Sequence, residues 1–295
     1  MSTPDIVVLG NANVDLTTYM AHAPAEGETV IGHDFSIGMG GKGANQAVAA
    51  ARAGSEVGFI GRRGDDSFGD MIRTALTAEG LHLEHLVQVP GPSGNATIYV
   101  EDSGANRIAV FLGASATLTA SGATEAVVAL QGARYFISQL EVNQEIALAG
   151  LQAAGEHGMV RVLNIAPYSP LIPGITSNTD WLIANEVEME GLLGEVGVRT
   201  KVEGSASELA GHIPQWSEAI GCNLVVTLGS KGALGFAPED GAFFAEAPVV
   251  TAVDTVGAGD CFVGYFVSLM SHGSHWQGAL QGAVAAASES VQRPG

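Results

Sequence analysis

Six short apolar runs recur along the chain, and their spacing restricts the fold more than any other feature: Ile6–Leu9, Val57–Ile60, Tyr135–Ser138, Val162–Asn164, Trp181–Ala184 and Leu224–Thr227. Each is bounded by Gly, Asn or charged residues and is too short for a helix. Unbroken apolarity over so few residues is what a parallel strand covered on both faces requires. Between the runs, Ala44–Ala53, Phe68–Ala78, Gln144–Ala154 and Ser205–Ala219 carry helical spacing and good helix formers. The alternation predicts an α/β fold with a doubly wound, mainly parallel sheet and helices on both faces. No internal repeat, low-complexity tract or linker divides the chain, so residues 1–295 are expected to form one domain.

Two stretches break the rhythm. Leu16–Ile37 is one; in the other, β-rich Ala96–Glu101 turns at Gly104 into Arg107–Phe111. They read as antiparallel hairpins that combine into one small sheet, inserted from about 15–38 and 94–112. Ligands in such folds bind at the C-terminal edge of the main sheet, and the small sheet would be a lid over it.

Composition limits the partners. The 31 acidic and 12 basic side chains give a formal charge of −19, which repels nucleic acid and anionic membranes alike. A phosphorylated metabolite would therefore be held by backbone N–H groups, a divalent cation and a few placed side chains. Cys222 and Cys261 are far apart, with no metal-like spacing, and fit a reducing cytoplasm. No apolar stretch reaches the length of a membrane span, and the start of the chain lacks the marks of a secretory signal.

The chemistry concentrates in glycine loops. In Asp254–Asp260 (DTVGAGD), Gly257, Ala258 and Gly259 let backbone N–H groups converge on one point before the apolar run from Cys261. Asp260 would lie in the first helical turn, placed to accept a proton from an attacking hydroxyl. A plain helix cap is the alternative. Gly38–Gly43 contains G-x-G-x-x-G, but it lies far from the first strand and no acid follows the second at the right place, so a dinucleotide site is disfavoured. Lys42 is followed by Gly43 instead of Ser or Thr, which excludes a P-loop. Lys42 and Asn45 on a glycine platform suit a polyhydroxylated ligand.

Three strand ends add polar groups. Asn13 and Asp15 follow the first strand and could fork onto vicinal hydroxyls, or form an Asx-turn. Asn185-Glu186-Val187-Glu188 could hold Mg²⁺ directly or through water, or cap a helix. Thr227–Gly232 is a third strand-to-glycine loop, able to approach a nucleotide's phosphates or base closely, or to be a plain turn. His82/His85 and His272/His275 lack a nearby third ligand and read as surface or packing residues.

Gly40–Ala47 (GGKGANQA) and Asp254–Asp260, in this order, resemble the two signatures of the ribokinase-like (pfkB) sugar kinases. Asn13 and Asp15, Gly64-Asp65-Asp66, Gln139-Leu140-Glu141, Asn185–Glu188 and Thr227–Gly232 fall at matching places, so the resemblance covers essentially the whole chain. It implies ATP-dependent phosphorylation of a sugar's primary hydroxyl, with D-ribose to D-ribose 5-phosphate first in line. Another pentose, ketodeoxygluconate or a nucleoside is the alternative within the class, and a non-catalytic sugar or nucleotide sensor the alternative outside it.

By the same resemblance, Asp260 is the base, and Gly257, Ala258 and Gly259 form the anion hole. Asn13, Asp15, Gly41, Lys42, Asn45 and Glu141 hold the sugar, while Asn185, Thr227, Gly229, Ser230 and Gly232 line the nucleotide site. Asn185 and Glu188 organise Mg²⁺, partly through water. Carbonyls of Asp254, Val256, Ser290, Arg293 and Gly295 hold a monovalent cation, K⁺, and the family's cation site takes in a polar residue beyond Gly295. The lid is expected to clasp a homodimer. The chain departs from the family pattern at Arg62-Arg63, at Asn95, at Ser115 and at Gly282-Ala283-Val284 beside the expected purine site.

Overall fold

A computed structural model describes residues 3–293. The chain runs β1 (Ile6–Leu9), β2 (Asn13–Met20), β3 (Asp34–Gly40), α1 (Lys42–Arg52), β4 (Val57–Arg63), α2 (Ser67–Ala78), β5 (Leu86–Gln88), β6 (Asn95–Glu101) and β7 (Asn106–Phe111). It continues through α3 (Ala120–Ala129), β8 (Tyr135–Gln139), α4 (Gln144–Glu156), β9 (Val160–Asn164), β10 (Trp181–Asn185), α5 (Glu186–Glu195), α6 (Ala206–Ile220) and β11 (Asn223–Thr227). An edge hairpin, β12 (Gly232–Ala237) and β13 (Gly241–Glu246), precedes α7 (Ala258–Ser271) and α8 (Trp276–Ser290).

The main sheet has nine strands in the order β13-β12-β11-β10-β9-β8-β1-β4-β5. All six apolar runs lie in it as parallel neighbours, and β12–β13 closes one edge antiparallel. Alternation along each strand feeds two cores. In β1, Ile6 and Val8 enter the core beneath α1, α2, α7 and α8, whereas Val7 and Leu9 enter the one beneath α3, α4, α5 and α6. That is why these runs are apolar at every position.

The stretches that break the rhythm form a separate four-stranded sheet in the order β3-β2-β6-β7. Its two pairs, β2–β3 and β6–β7, are antiparallel as expected, and they join along β2–β6 in parallel, with Val14 opposite Asn95 and Met20 opposite Glu101. Since β2 directly follows β1 and β3 runs into α1, the small sheet is fixed at the C-terminal edge of the main one.

Helices α1 and α7 approach closely, and glycine is the reason. A Cβ at Gly264 of α7 would come within 2.5 Å of the Ala49 Cβ and 2.6 Å of the Gln46 carbonyl. The N-terminal end of α1 is pressed against β1 in the same way, with a Cβ at Gly43 only 2.7 Å from the Gly10 Cα. Both helices therefore begin at the C-terminal edge of the sheet.

Candidate active site

Asp260 occupies the first turn of α7 and is 6% exposed. The N-cap, Gly257, has φ 74°, a left-handed conformation in which a side chain is strained, and this turns the loop sharply into the helix. Cys261 N donates to the Gly257 carbonyl at 2.8 Å, while Ala258 N makes a long bond of 3.3 Å to the Thr255 carbonyl. A helix end of this kind presents N–H groups and a partial positive charge to whatever lies before it.

Asp260 does not cap its own helix. Both carboxylate oxygens are held from α1: Asn45 Nδ2 donates to Oδ2 at 3.1 Å and Gln46 Nε2 to Oδ1 at 2.9 Å. The close α1–α7 packing is what brings these groups together.

Asn13 and Asp15 lie in β2, opposite Gly40 and Gly38, so neither sits in an Asx-turn. The Asp15 carboxylate rests on the Cα of Gly40, where any Cβ would overlap it. Burial, and next the Glu141 carboxylate, push the Asp15 carboxyl up to about 6. Among the described residues, Asn13 Oδ1 is buried without a hydrogen-bond partner. Gly41 has φ 92°, and the Lys42 N–H after it donates to Glu141 Oε2 at 2.8 Å. Thus β2, α1 and the end of β8 gather Asn13, Asp15, Gly41, Lys42, Asn45 and Glu141 at one corner.

Two cavities meet at the start of α7. The first, about 410 Å³, is lined by Lys42, Asn164, Asn185, Glu186, Glu188 and Asp260 among others. The second, about 580 Å³, has Ser230, Gly232, Thr255 and Ala258 toward the helix end and Val250, Val284 and Val291 as an apolar wall. Thr227, Gly229 and Gly259 line both. A further cavity of about 540 Å³, beside Asp180 and Cys222, contains none of the residues singled out from the sequence as site residues.

Asn185 and Glu188 do form a capping box for α5, each side chain bonding the other's backbone N–H at 2.9 Å. The cap engages one Glu188 oxygen, Oε2, and both residues still face the first cavity. Among the described residues, no three His, Cys, Asp or Glu side chains come together as a metal set. A Mg²⁺ there would take its other ligands from phosphate and water, which suits its chemistry.

The loop before α7 meets the end of α8: Val253 N and Asp254 N donate to the Val291 carbonyl at 2.7 and 3.1 Å. This sets Asp254 against the last turn of α8, where Arg293 N also donates to the Ser290 carbonyl at 3.3 Å. Gly295 lies outside the described residues.

The sequence assigns no role to Gln46, Gln139 or Asn164, which connect to Asp260. The available signal was position, since Gln139 and Asn164 each end a buried strand with a polar side chain. Of the departures from the family pattern, Arg63 is used structurally, donating to Gln88 Oε1 at 2.6 Å and Asp70 Oδ1 at 3.3 Å. Arg62 is half-buried, which pushes its guanidinium below the usual arginine range.

A model of the pfkB family of carbohydrate kinases matches residues 3–295. The chain is 34% identical over 301 residues to a ribokinase of Schizosaccharomyces pombe, covering 99% of this chain and 93% of that protein. It is 35% identical over 294 residues to a deoxyribokinase of Salmonella typhi, covering 99% and 94%. The structure of Arabidopsis thaliana ribokinase complexed with ribose and ATP superposes with a TM-score of 0.88 at 29% identity, covering 100% of this chain and 94% of that one.

Proposed function

The chain belongs to the pfkB family of carbohydrate kinases and is an ATP-dependent sugar kinase, and from that premise we propose that it phosphorylates the primary hydroxyl of D-ribose to give D-ribose 5-phosphate. The observation that carries this reading is the seam between the two cavities, where a buried carboxylate, Asp260, stands beside a glycine-rich helix N-terminus. In a loose phosphoryl-transfer transition state, positioning and charge stabilisation matter more than base strength.

In this proposal Asp260 takes the proton from the sugar hydroxyl as its oxygen attacks the γ-phosphorus. The N–H groups of Gly257, Ala258 and Gly259 stabilise charge on the transferring group. Asn13, Asp15, Gly41, Lys42, Asn45 and Glu141 orient the sugar, and Asn185, Thr227, Gly229, Ser230 and Gly232 line the nucleotide's path. Asn185 and Glu188 would hold hydrated Mg²⁺, which supplies charge neutralisation to the phosphates. Asp254, Val256, Ser290, Arg293 and Gly295 would hold K⁺ through their carbonyls, near the anion hole.

The proposal extends to a cytoplasmic homodimer clasped through the small sheet. In its support, Phe35, Ile108 and Val110 of that sheet are each more than half exposed, and both cysteines are unpaired. No helix among the described residues is long and apolar enough to cross a membrane.

A second sugar is favoured by one observation: the deoxyribokinase is as similar in identity and coverage as the ribokinase. A coupled ADP-release assay with MgATP over D-ribose, 2-deoxyribose, other pentoses, ketodeoxygluconate and nucleosides decides between them. Selective D-ribose turnover that falls about 10²-fold or more in a folded Asp260→Asn variant supports the proposal. Selective turnover of another sugar moves the substrate and keeps the mechanism, whereas unchanged turnover in Asp260→Asn removes Asp260 as the base.

A further inference from the structure

The polar groups around Asp260 form a chain whose directions are fixed. Gln46 is fully buried, and its Nε2 donates to Asp260 Oδ1 at 2.9 Å and to Asn164 Oδ1 at 3.1 Å. An amide nitrogen serving two acceptors turns its own oxygen away, and Gln46 Oε1 accepts from Gln139 Nε2 at 2.8 Å. Asn164 is oriented independently, because its Nδ2 donates to the Ile183 carbonyl at 3.1 Å and leaves Oδ1 as the acceptor. Swapping the nitrogen and oxygen of Gln46 would set oxygen against oxygen at Asp260 and Asn164.

The chain ties four elements, α1, β8, β9 and β10, to the start of α7. At its far end Gln139 Oε1 has no partner among the described residues and lies against the Gly10 Cα, where a Cβ would overlap it. The strand end is glycine where this buried amide needs the room.

The two oxygens of Asp260 are thus held differently. Oδ1 is bound by Gln46, which is sealed from solvent and anchored at three points. Among the described residues, Oδ2 is bound only by Asn45, a half-buried side chain at the sugar corner with one contact to Asp260.

Resting on the reading of Asp260 as the base, we infer that Gln46 is its positioning residue: it pins Oδ1, so that Oδ2 is the oxygen that receives the proton. The arriving sugar draws the Asn45 amide onto a hydroxyl and frees Oδ2. The sugar O–H bond then breaks and Oδ2–H forms, while the sugar oxygen bonds to the γ-phosphorus and ADP leaves with the electrons of the broken P–O bond. Gln46 touches no substrate. It sets the rotamer from which the carboxylate acts, through a network satisfied on every side but one.

The test is steady-state kinetics of the full chain with MgATP and its best sugar between pH 5 and 9, on Gln46→Glu and Gln46→Met beside Asp260→Asn. Gln46→Glu is close to isosteric but sets a second carboxylate against Oδ1, and two such acids hold one proton between them. The inference expects its kcat to fall about 10-fold or more at neutral pH, with the acid limb displaced upward by about one pH unit or more. Both KM values should stay within about twofold. Gln46→Met, which deletes the donor without adding charge, should lower kcat about 10-fold with the same KM values and little change in the limb.

Should Gln46→Glu fail to fold, the split between kcat and KM in Gln46→Met decides alone. A Gln46→Glu or folded Gln46→Met enzyme with parental kcat and pH profile, beside an inactive Asp260→Asn, overturns the role of Gln46 and leaves that of Asp260. An active Asp260→Asn overturns the underlying reading instead.

Discussion

Under the proposed function, ligand binding and stability oppose each other at Asp15. Its carboxyl is raised from 3.8 to about 6, so the fold favours the protonated form. The stability from this preference is full below pH 3.8 and is lost as the pH rises through about 6. At pH 7 the buried carboxylate therefore works against folding. Asp15→Asn is expected to raise Tm by a few degrees at pH 7 and by much less at pH 4, as calorimetry of the free protein would register. The same variant should raise the sugar KM about 10-fold or more, since an acceptor becomes a donor. In the parent enzyme the sugar KM should climb as the pH falls below about 6, with the ATP KM level; a pH-independent sugar KM would take Asp15 out of the binding site. The position of Asp15 was legible in the sequence, because polar residues just after a buried strand emerge at the ligand edge. Its perturbed carboxyl was not, since Glu141 lies 126 residues away in sequence (141 − 15) and meets it only through the fold. Gln46 was hidden for the same reason: Asp260, Asn164 and Gln139 lie on three other elements.

Among the elements, the pair α1–α7 decides the site. Gly264 lets the two helices meet, and a methyl group there would need to displace Ala49 and the backbone at Gln46 and Ala50. Gly264→Ala is expected to lower Tm by several degrees and kcat by about 10-fold or more, because moving α7 carries Asp260 away from Asn45 and Gln46. A kcat at the parental level with a lowered Tm would mean that the carboxylate follows its partners. The parallel strands were read correctly because burial on both faces makes them continuously apolar. The edge hairpin β12–β13 has no such signal: β12 is buried but includes Gly232 and Gly235, and a Cβ at Gly235 would strike the Trp276 ring. Helix α5 was equally hard to see, with Gly191 and Gly194 interrupting it and its capping residues open to a metal-binding reading.

For the whole molecule, the small sheet raises the question of assembly. Ile108 is 57% and Val110 55% exposed, on the face that also carries Asp15 through the Ala96 register. If the sheet clasps a second copy, Ile108→Glu should convert a dimer to a monomer in sedimentation while leaving Tm of the separated chain within a few degrees. A parental variant of unchanged mass in solution would assign those apolar side chains elsewhere. The carbonyls near the end of α8 lead to a further expectation: replacing K⁺ by a large organic cation should reduce kcat severalfold at saturating MgATP. A rate indifferent to the cation would remove that site from the proposal.

The two cavities share Thr227, Gly229 and Gly259, so they adjoin at the start of α7. One molecule can therefore live in both. A pentose joined to a nucleoside through a short oligophosphate tether would place its second half at an effective concentration of order millimolar once the first is seated. Under the proposed function, a single bridging compound would inhibit through this seam, with selectivity from the polar side chains of the first cavity and grip from the apolar wall of the second.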